Sequence, residues 1–245
     1  MEDLPEHARR ALERARAERW SYAVRAVRAP DGRVVVMLGE AHMKLAKASA
    51  IGKDVVASFE LRGVETFQRK QIAGGRALGV VINAPRALLR MLSFGAIKGS
   101  TITDAKQLPS GYTVELERAK RVPFGLHVTS LYTTAFFVVS FLGLLAPLIG
   151  ALLPGLALAI TVLVVAFQLH LLALIPAIAL RRYSFSWMIH PLIGILTLRD
   201  ELMAAGTVRM LEDHPAERAA VVVMGRAHLP GYERLLVEKY GFRRL

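Results

Sequence analysis

Apolar and polar positions alternate closely along most of this chain, but between Val122 and Leu180 charge disappears altogether for 59 positions. Two apolar blocks fill that tract, about 131–150 and about 156–180. Their lengths, roughly 20 and 25 residues, are those of helices that cross a bilayer core. Ala151-Leu152-Leu153-Pro154-Gly155 supplies an uncharged turn between them. The pattern predicts a transmembrane helical hairpin over 122–182, with segments 1–121 and 183–245 outside the bilayer.

Those outer segments read differently. Residues 4–20 are rich in helix formers, with Pro5 suited to a first turn. Tyr22 to Arg28 alternates as a strand does, and Ala29-Pro30-Asp31-Gly32-Arg33 turns the chain into the apolar run Val34 to Leu38. A short helix is expected over 43–52, a strand from Asp54 to Gly63, and helix over 64–92 with breaks at Gly74-Gly75 and Asn83-Ala84-Pro85. Residues 93–111 read as a linker and 112–121 as a helix. After the hairpin, 186–198 is apolar but too short to cross and is expected to be interfacial or packed on the domain. A helix over 198–213, a strand over 221–224 and a helix over 232–240, ended by Gly241, complete the chain. The fold class expected is α/β (or α+β), a mixed sheet interrupted by the hairpin.

Charge orients the hairpin. Lys120 and Arg121 precede the first block and Arg181 and Arg182 follow the second, so both flanks belong on the cytoplasmic side of the cell membrane. The charged N-terminus lacks the apolar core of a signal peptide. The net charge of +12 is dispersed: 22 Lys and Arg against 13 Asp and Glu in residues 1–121, and 10 against 7 in 181–245. No groove-reading or aromatic-interleaved motif accompanies it. The lipid bilayer, with its anionic inner leaflet, is the expected partner, and nucleic acid is not. The absence of Cys excludes disulfides and thiolate metal sites. Gln168 and His170 lie at bilayer depth, where bonds to a partner helix are the simplest account and a homo-oligomer is expected to bury them.

Two short motifs carry the chemistry. Val34-Val35-Val36-Met37-Leu38 runs into Gly39-Glu40-Ala41-His42, and Val221-Val222-Val223-Met224 runs into Gly225-Arg226-Ala227-His228. Each reads as a buried strand that stops at Gly-x-Ala-His, which would set an imidazole just past a strand's carboxyl end, where open α/β sheets bind ligands. If both His42 and His228 serve one site, the chain between them crosses the membrane an even number of times. Two spans satisfy that condition.

The ordered set Gly-Glu-Ala-His, then Phe59-Glu60-Leu61-Arg62-Gly63, then Arg199-Asp200-Glu201-Leu202-Met203, then Gly-Arg-Ala-His-Leu-Pro-Gly resembles the TraB/PrgY/TIKI family over roughly 22–92 and 198–245. Its Gly-Glu-x-His start is similar to the more distant erythromycin esterase and ChaN-like proteins. Family members include proteins that shut down peptide pheromone signalling and metal-dependent proteases. The chain departs from the family in three ways: Glu40 stands where Thr or Ser is usual, no Asp-Arg-Asp lies between Glu115 and Thr134, and the hairpin interrupts the domain.

The resemblance implies a divalent metal ion (zinc, manganese, cobalt or iron) held by His42, His228 and Glu60. Such an ion activates water and polarises a carbonyl. Glu40, two residues before His42, is the leading general base, Glu60 is a further catalytic carboxylate, and Arg62 or Arg199 would stabilise oxyanion charge. The expected function is a cytoplasmic metal-dependent hydrolase, most simply a peptidase acting on a peptide substrate. The alternative is a non-catalytic membrane protein that binds or sequesters a peptide or other ligand on the same fold.

Overall fold

A computed structural model describes residues 4–41, 44–94, 97–98, 101–108, 110–183 and 185–245. The chain forms two compact units, one comprising Met1–Phe67, Arg86–Ala119 and Asp200–Leu245, the other Gln68–Pro85 and Lys120–Arg199.

In the first unit the strands are β1 (Tyr22–Arg28), β2 (Val34–Glu40), β4 (Leu61–Val64), β6 (Tyr112–Glu115), β7 (Ala219–Gly225) and β8 (Arg243–Arg244), with β3 (Lys44–Leu45) and β5 (Ile97–Lys98) paired separately. The main sheet has the order β6-β4-β7-β2-β1-β8. β6, β4, β7 and β2 run parallel, while β1 and β8 are antiparallel to their neighbours. The all-apolar start of β2 follows from its place: each of its residues is buried, as in an interior parallel strand covered on both faces. Helices α1 (Glu6–Ala17) and α2 (Ala46–Ala57) cover one face, setting Leu12, Val55 and Val56 against Val36, Leu38 and Val223. On the other face α9 (Gly194–Asp213, of which Asp200 onward belongs here) and α10 (Leu229–Tyr240) pack Met203, Met210, Tyr232 and Leu236 on Met37, Val222 and Met224. α10 stops where Gly241 takes the left-handed conformation (φ +73°).

Several elements differ from the sequence expectation. The expected strand over Asp54–Gly63 is only Leu61–Val64, because Val55 and Val56 are the buried face of the last turns of α2. A short β-branched run reads alike in either state. Tyr112–Glu115, expected to be helical, is edge strand β6, and its Tyr-Thr-Val-Glu alternation is that of a half-exposed strand. The linker segment contains β5 and α4 (Thr101–Gln107). α3 (Gly75–Leu92) runs unbroken through Asn83-Ala84-Pro85, and Asn83 Nδ2 donates to Gly79 O (2.8 Å), supporting the helix instead of turning it.

The second unit holds α5 (Phe124–Leu152), α6 (Pro154–His170), a 3₁₀ turn and α7 (Leu174–Ala179). Phe124–Leu152 (29 residues, mean hydropathy 2.4) and Pro154–Ala179 (26 residues, 2.5) are helices long and apolar enough to cross a membrane. Their apolar side chains face outward, Leu144 and Leu152 being 79% and 80% exposed, the reverse of a soluble core helix. The helices approach closely at Gly143, where a Cβ would lie 2.7 Å from Val164 Cγ2. The 186–198 segment forms α8 (Ser186–Ile189), a 3₁₀ turn and the start of α9, and it packs on the first turns of α5: a Cβ at Gly194 would lie 2.2 Å from Thr129 Oγ1.

The close approaches give a stability prediction. A Cβ at Gly206 would lie 1.9 Å from the Leu116 carbonyl oxygen, whereas one at Gly155 meets nothing within 4 Å. Gly206→Ala is expected to cost about 1–3 kcal/mol and Gly155→Ala to be neutral or stabilising by under ~1 kcal/mol. Thermal unfolding of the detergent-solubilised chain measures both.

Candidate functional site

β2, β4 and β7 are parallel, so their carboxyl ends lie along one edge of the sheet, and acidic residues and an imidazole collect there. Glu40 is the last residue of β2 and sits opposite Gly225 in the ladder. Glu65 continues β4, its N–H donating to Val223 O (2.9 Å). His228 ends the 3₁₀ turn Arg226–His228 that follows β7, and Asp200 reaches the edge from α9. All four are buried, between 0% and 9% exposed.

His228 connects them. Its Nδ1 lies 2.6 Å from Asp200 Oδ1 and its Nε2 3.7 Å from Glu65 Oε1. A carboxylate beside Nδ1 selects the tautomer that donates there and leaves Nε2 as the free edge of the ring. The other Glu65 oxygen accepts from Gly225 N–H (2.5 Å). At 3.7 Å the Nε2–Glu65 pair is too long for a hydrogen bond.

Two glycines shape the edge. A Cβ at Gly231, in the first turn of α10, would lie 2.0 Å from Asp200 Oδ2. Only glycine lets that carboxylate rest against the helix start, where free N–H groups and the helix dipole favour an anion. Gly39 lies within β2 and does not begin a turn as expected: a Cβ there would be 2.2 Å from Leu229 Cδ1. Gly39 pairs with Met224 and Glu40 with Gly225, so the two Gly-x-Ala-His copies are offset by one residue and their glycines do different work. Behind the edge, Tyr232 OH bonds Thr207 Oγ1 (2.6 Å), and burial pushes the phenol above its ordinary range, keeping it neutral.

Not every residue picked out from the sequence lies here. Glu60 is exposed and precedes β4 at the opposite, amino-terminal end. Five residues of extended chain, about 16 Å, separate it from Glu65. It lines a cleft of about 800 Å³ with His7, Arg28, Asp31, Arg33 and Glu217, and the structure does not bring it to His228. Arg62 is buried but points the same way: its Nε donates to Val56 O (3.1 Å) and Phe59 O (2.8 Å), and Nη1 to Ser110 O. It holds the end of α2, and burial lowers its guanidinium below the ordinary value. Arg199 is buried next to Asp200 in α9, and the carboxylate of Asp200 is the group that reaches His228. His42 lies outside the described residues. Glu65 was missed in the sequence; its signal is its place, the first carboxylate after the carboxyl end of a parallel strand.

The donor set for a divalent ion is therefore short. His228 Nε2 and Glu65 Oε1 face each other, but among the described residues no group of three or more His, Cys, Asp or Glu forms a metal-holding cluster. Compared with known protein families, curated proteins and solved structures, the chain matches none.

A second polar cluster lies in the helical unit. Tyr132 OH is 2.6 Å from His170 Nδ1 and 3.5 Å from His190 Nε2, and the two imidazole centroids are 4.5 Å apart. His170 of α6 thus bonds across to α5. His190, within the 186–198 segment expected to be interfacial or packed on the domain, is fully buried, and its Nδ1 accepts from Leu192 N–H (3.3 Å). Burial, then the neighbouring His170, holds its pKa below the ordinary 6.5.

Two predictions follow from this geometry. Nitrogen NMR of labelled histidine should find His228 as the Nδ1–H tautomer, and Asp200→Asn or Gly231→Ala should shift it toward Nε2–H. For His190 the folded state binds fewer protons than the unfolded chain below pH 6.5, so its contribution is complete above that value and is lost as pH falls beneath it. Unfolding across pH 7.5 to 5 should show a decline that is shallower in His190→Gln.

Proposed function

We propose that this chain is an integral membrane hydrolase of the TraB type whose cytoplasmic site cleaves an acyl bond, most simply a peptide bond. The observation that carries this reading is the buried Asp200–His228–Glu65 chain at the carboxyl ends of β2, β4 and β7. With Nδ1–H donated to Asp200, His228 Nε2 is the base that takes a proton from an attacking water. Asp200 keeps the tautomer and stabilises the imidazolium so formed. Glu65, fixed by the Gly225 N–H, supplies the second carboxylate at that edge, and Glu40 stands at the adjoining strand end. Were a divalent ion held there, as the family resemblance implies, His228 Nε2 would be its ligand and no longer the base, Glu65 would take the place expected of Glu60, and the ion would supply a water of lowered pKa.

The topology supports the membrane arrangement. β2 and β7 come from opposite sides of the apolar tract and pair in one sheet, which requires an even number of crossings between them. Two spans with Lys120, Arg121, Arg181 and Arg182 at their outer ends support a cytoplasmic sheet by the positive-inside tendency. The Tyr132–His170 pair gives the hairpin an internal partner for one of its polar groups, and oligomerisation would cover Gln168.

The test is peptide-library hydrolysis by the full chain in nanodiscs, read by mass spectrometry. His228→Ala and Glu65→Gln are expected to lower turnover roughly 10²–10⁴-fold, with Glu60→Gln unchanged. Metal analysis of wild type, His42→Ala and His228→Ala reports the ion. Absence of turnover in wild type, joined to full complementation of a deletion strain by His228→Ala, would overturn catalysis in favour of ligand binding.

A further inference from the structure

α3 carries a feature that the hydrolase site does not use. From Thr66 to Thr103 the chain has six Lys and Arg and no Asp or Glu. Within α3, Ala77, Val80, Ala84, Ala87 and Met91 recur at alternating spacings of three and four, so they form one stripe. That stripe is exposed, with Val80 at 69% and Met91 at 68%. A second stripe beside it holds Arg76, Gly79 and Asn83. Arg69 adds its charge there, its Nη1 lying 2.8 Å from where a Gly79 Cβ would be. The third side, with buried Leu78, faces the protein.

The start of this helix is tied to the first long apolar helix. Ala73 N–H donates to His127 Nδ1 (3.0 Å), and a Cβ at Gly74 (φ +68°) would meet Leu131 Cδ2 at 2.9 Å. His127 and Leu131 belong to the first two turns of α5, just after Lys120 and Arg121. If α5 spans, that level is the headgroup region. Beyond the end of α3, Phe94 is 99% exposed.

We infer that α3 lies in the plane of the membrane interface, its Val80/Met91 stripe inserted at the acyl boundary, with the uncompensated positive charge of residues 66–103 drawing it to anionic phospholipid headgroups. The inference rests on the reading that α5 and α6 cross the bilayer. An apolar stripe flanked by Arg, with no acidic residue, suits an anionic leaflet. A second copy of α3 would instead meet the first with like charge on both sides.

The chain has no Cys, so single spin labels can be placed in the full-length protein in phosphatidylcholine vesicles with and without phosphatidylglycerol. Labels at Val80→Cys and Met91→Cys are expected to lose accessibility to a water-soluble nickel relaxant and gain it to oxygen when phosphatidylglycerol is present. The label at Asn83→Cys stays open to nickel, and replacing Arg76, Arg86 and Arg90 by Gln abolishes the change at Val80. Leu148→Cys, in the middle of the long helix, reports the spans. If Leu148 is in lipid while Val80 and Met91 stay open to nickel, the interfacial helix is wrong and the spans stand. If Leu148 is open to nickel, the membrane reading fails and this inference with it. Spin–spin broadening at Val80 would show a second copy on the stripe and also overturn it.

Discussion

The parallel ladder from Val34↔Ala219 to Glu40↔Gly225 joins parts of the chain from opposite sides of the apolar tract. Parallel strands need a crossover, and this one contains the whole helical unit. Loop-closure entropy rises only logarithmically with length, so so long a crossover adds little to the cost of pairing. Without β7, β2 and β4 would each present an open edge of residues that are buried in the sheet. The core on both faces of the sheet therefore waits for residues made after the apolar helices.

The same pairing creates the buried acidic edge. Placing β7 between β4 and β2 brings Gly225 N–H to Glu65 and sets Glu40 opposite Gly225. The turn after β7 then delivers His228 to Asp200 on α9. Burying carboxylates is costly unless donors meet them. Here the Gly225 N–H meets Glu65 and the His228 imidazole meets Asp200. Gly231 and Gly39 are the points where a single methyl group would push the parts of this edge aside.

Much of this was legible in the residues. The two long apolar helices followed from length and absence of charge alone, the pattern of a segment long and apolar enough to cross a bilayer. β1, β2, β7, α1 and α10 followed from period and caps. The errors fell where one local pattern serves two states: Val55-Val56 is equally a strand or the inner face of a helix, and Pro85 reads as a break although α3 continues past it. At the site, His228 stood out by its motif. Glu60 drew attention in Glu-Leu-Arg-Gly, but a four-residue strand begins after it, so its carboxylate lies at the amino-terminal end of β4, while Glu65 lies at the carboxyl end beside His228.

Sequence by itself determined the two long apolar helices, the two buried valine strands and the imidazole that follows the second, because each depends on composition and period within one segment. Only the tertiary structure decided that the strands are parallel neighbours offset by one residue at their glycines, that Asp200 and Glu65 flank His228, and that Glu60 and Arg62 face away. Those facts depend on which segments meet, and contact between residues far apart in the chain leaves no local periodicity to read.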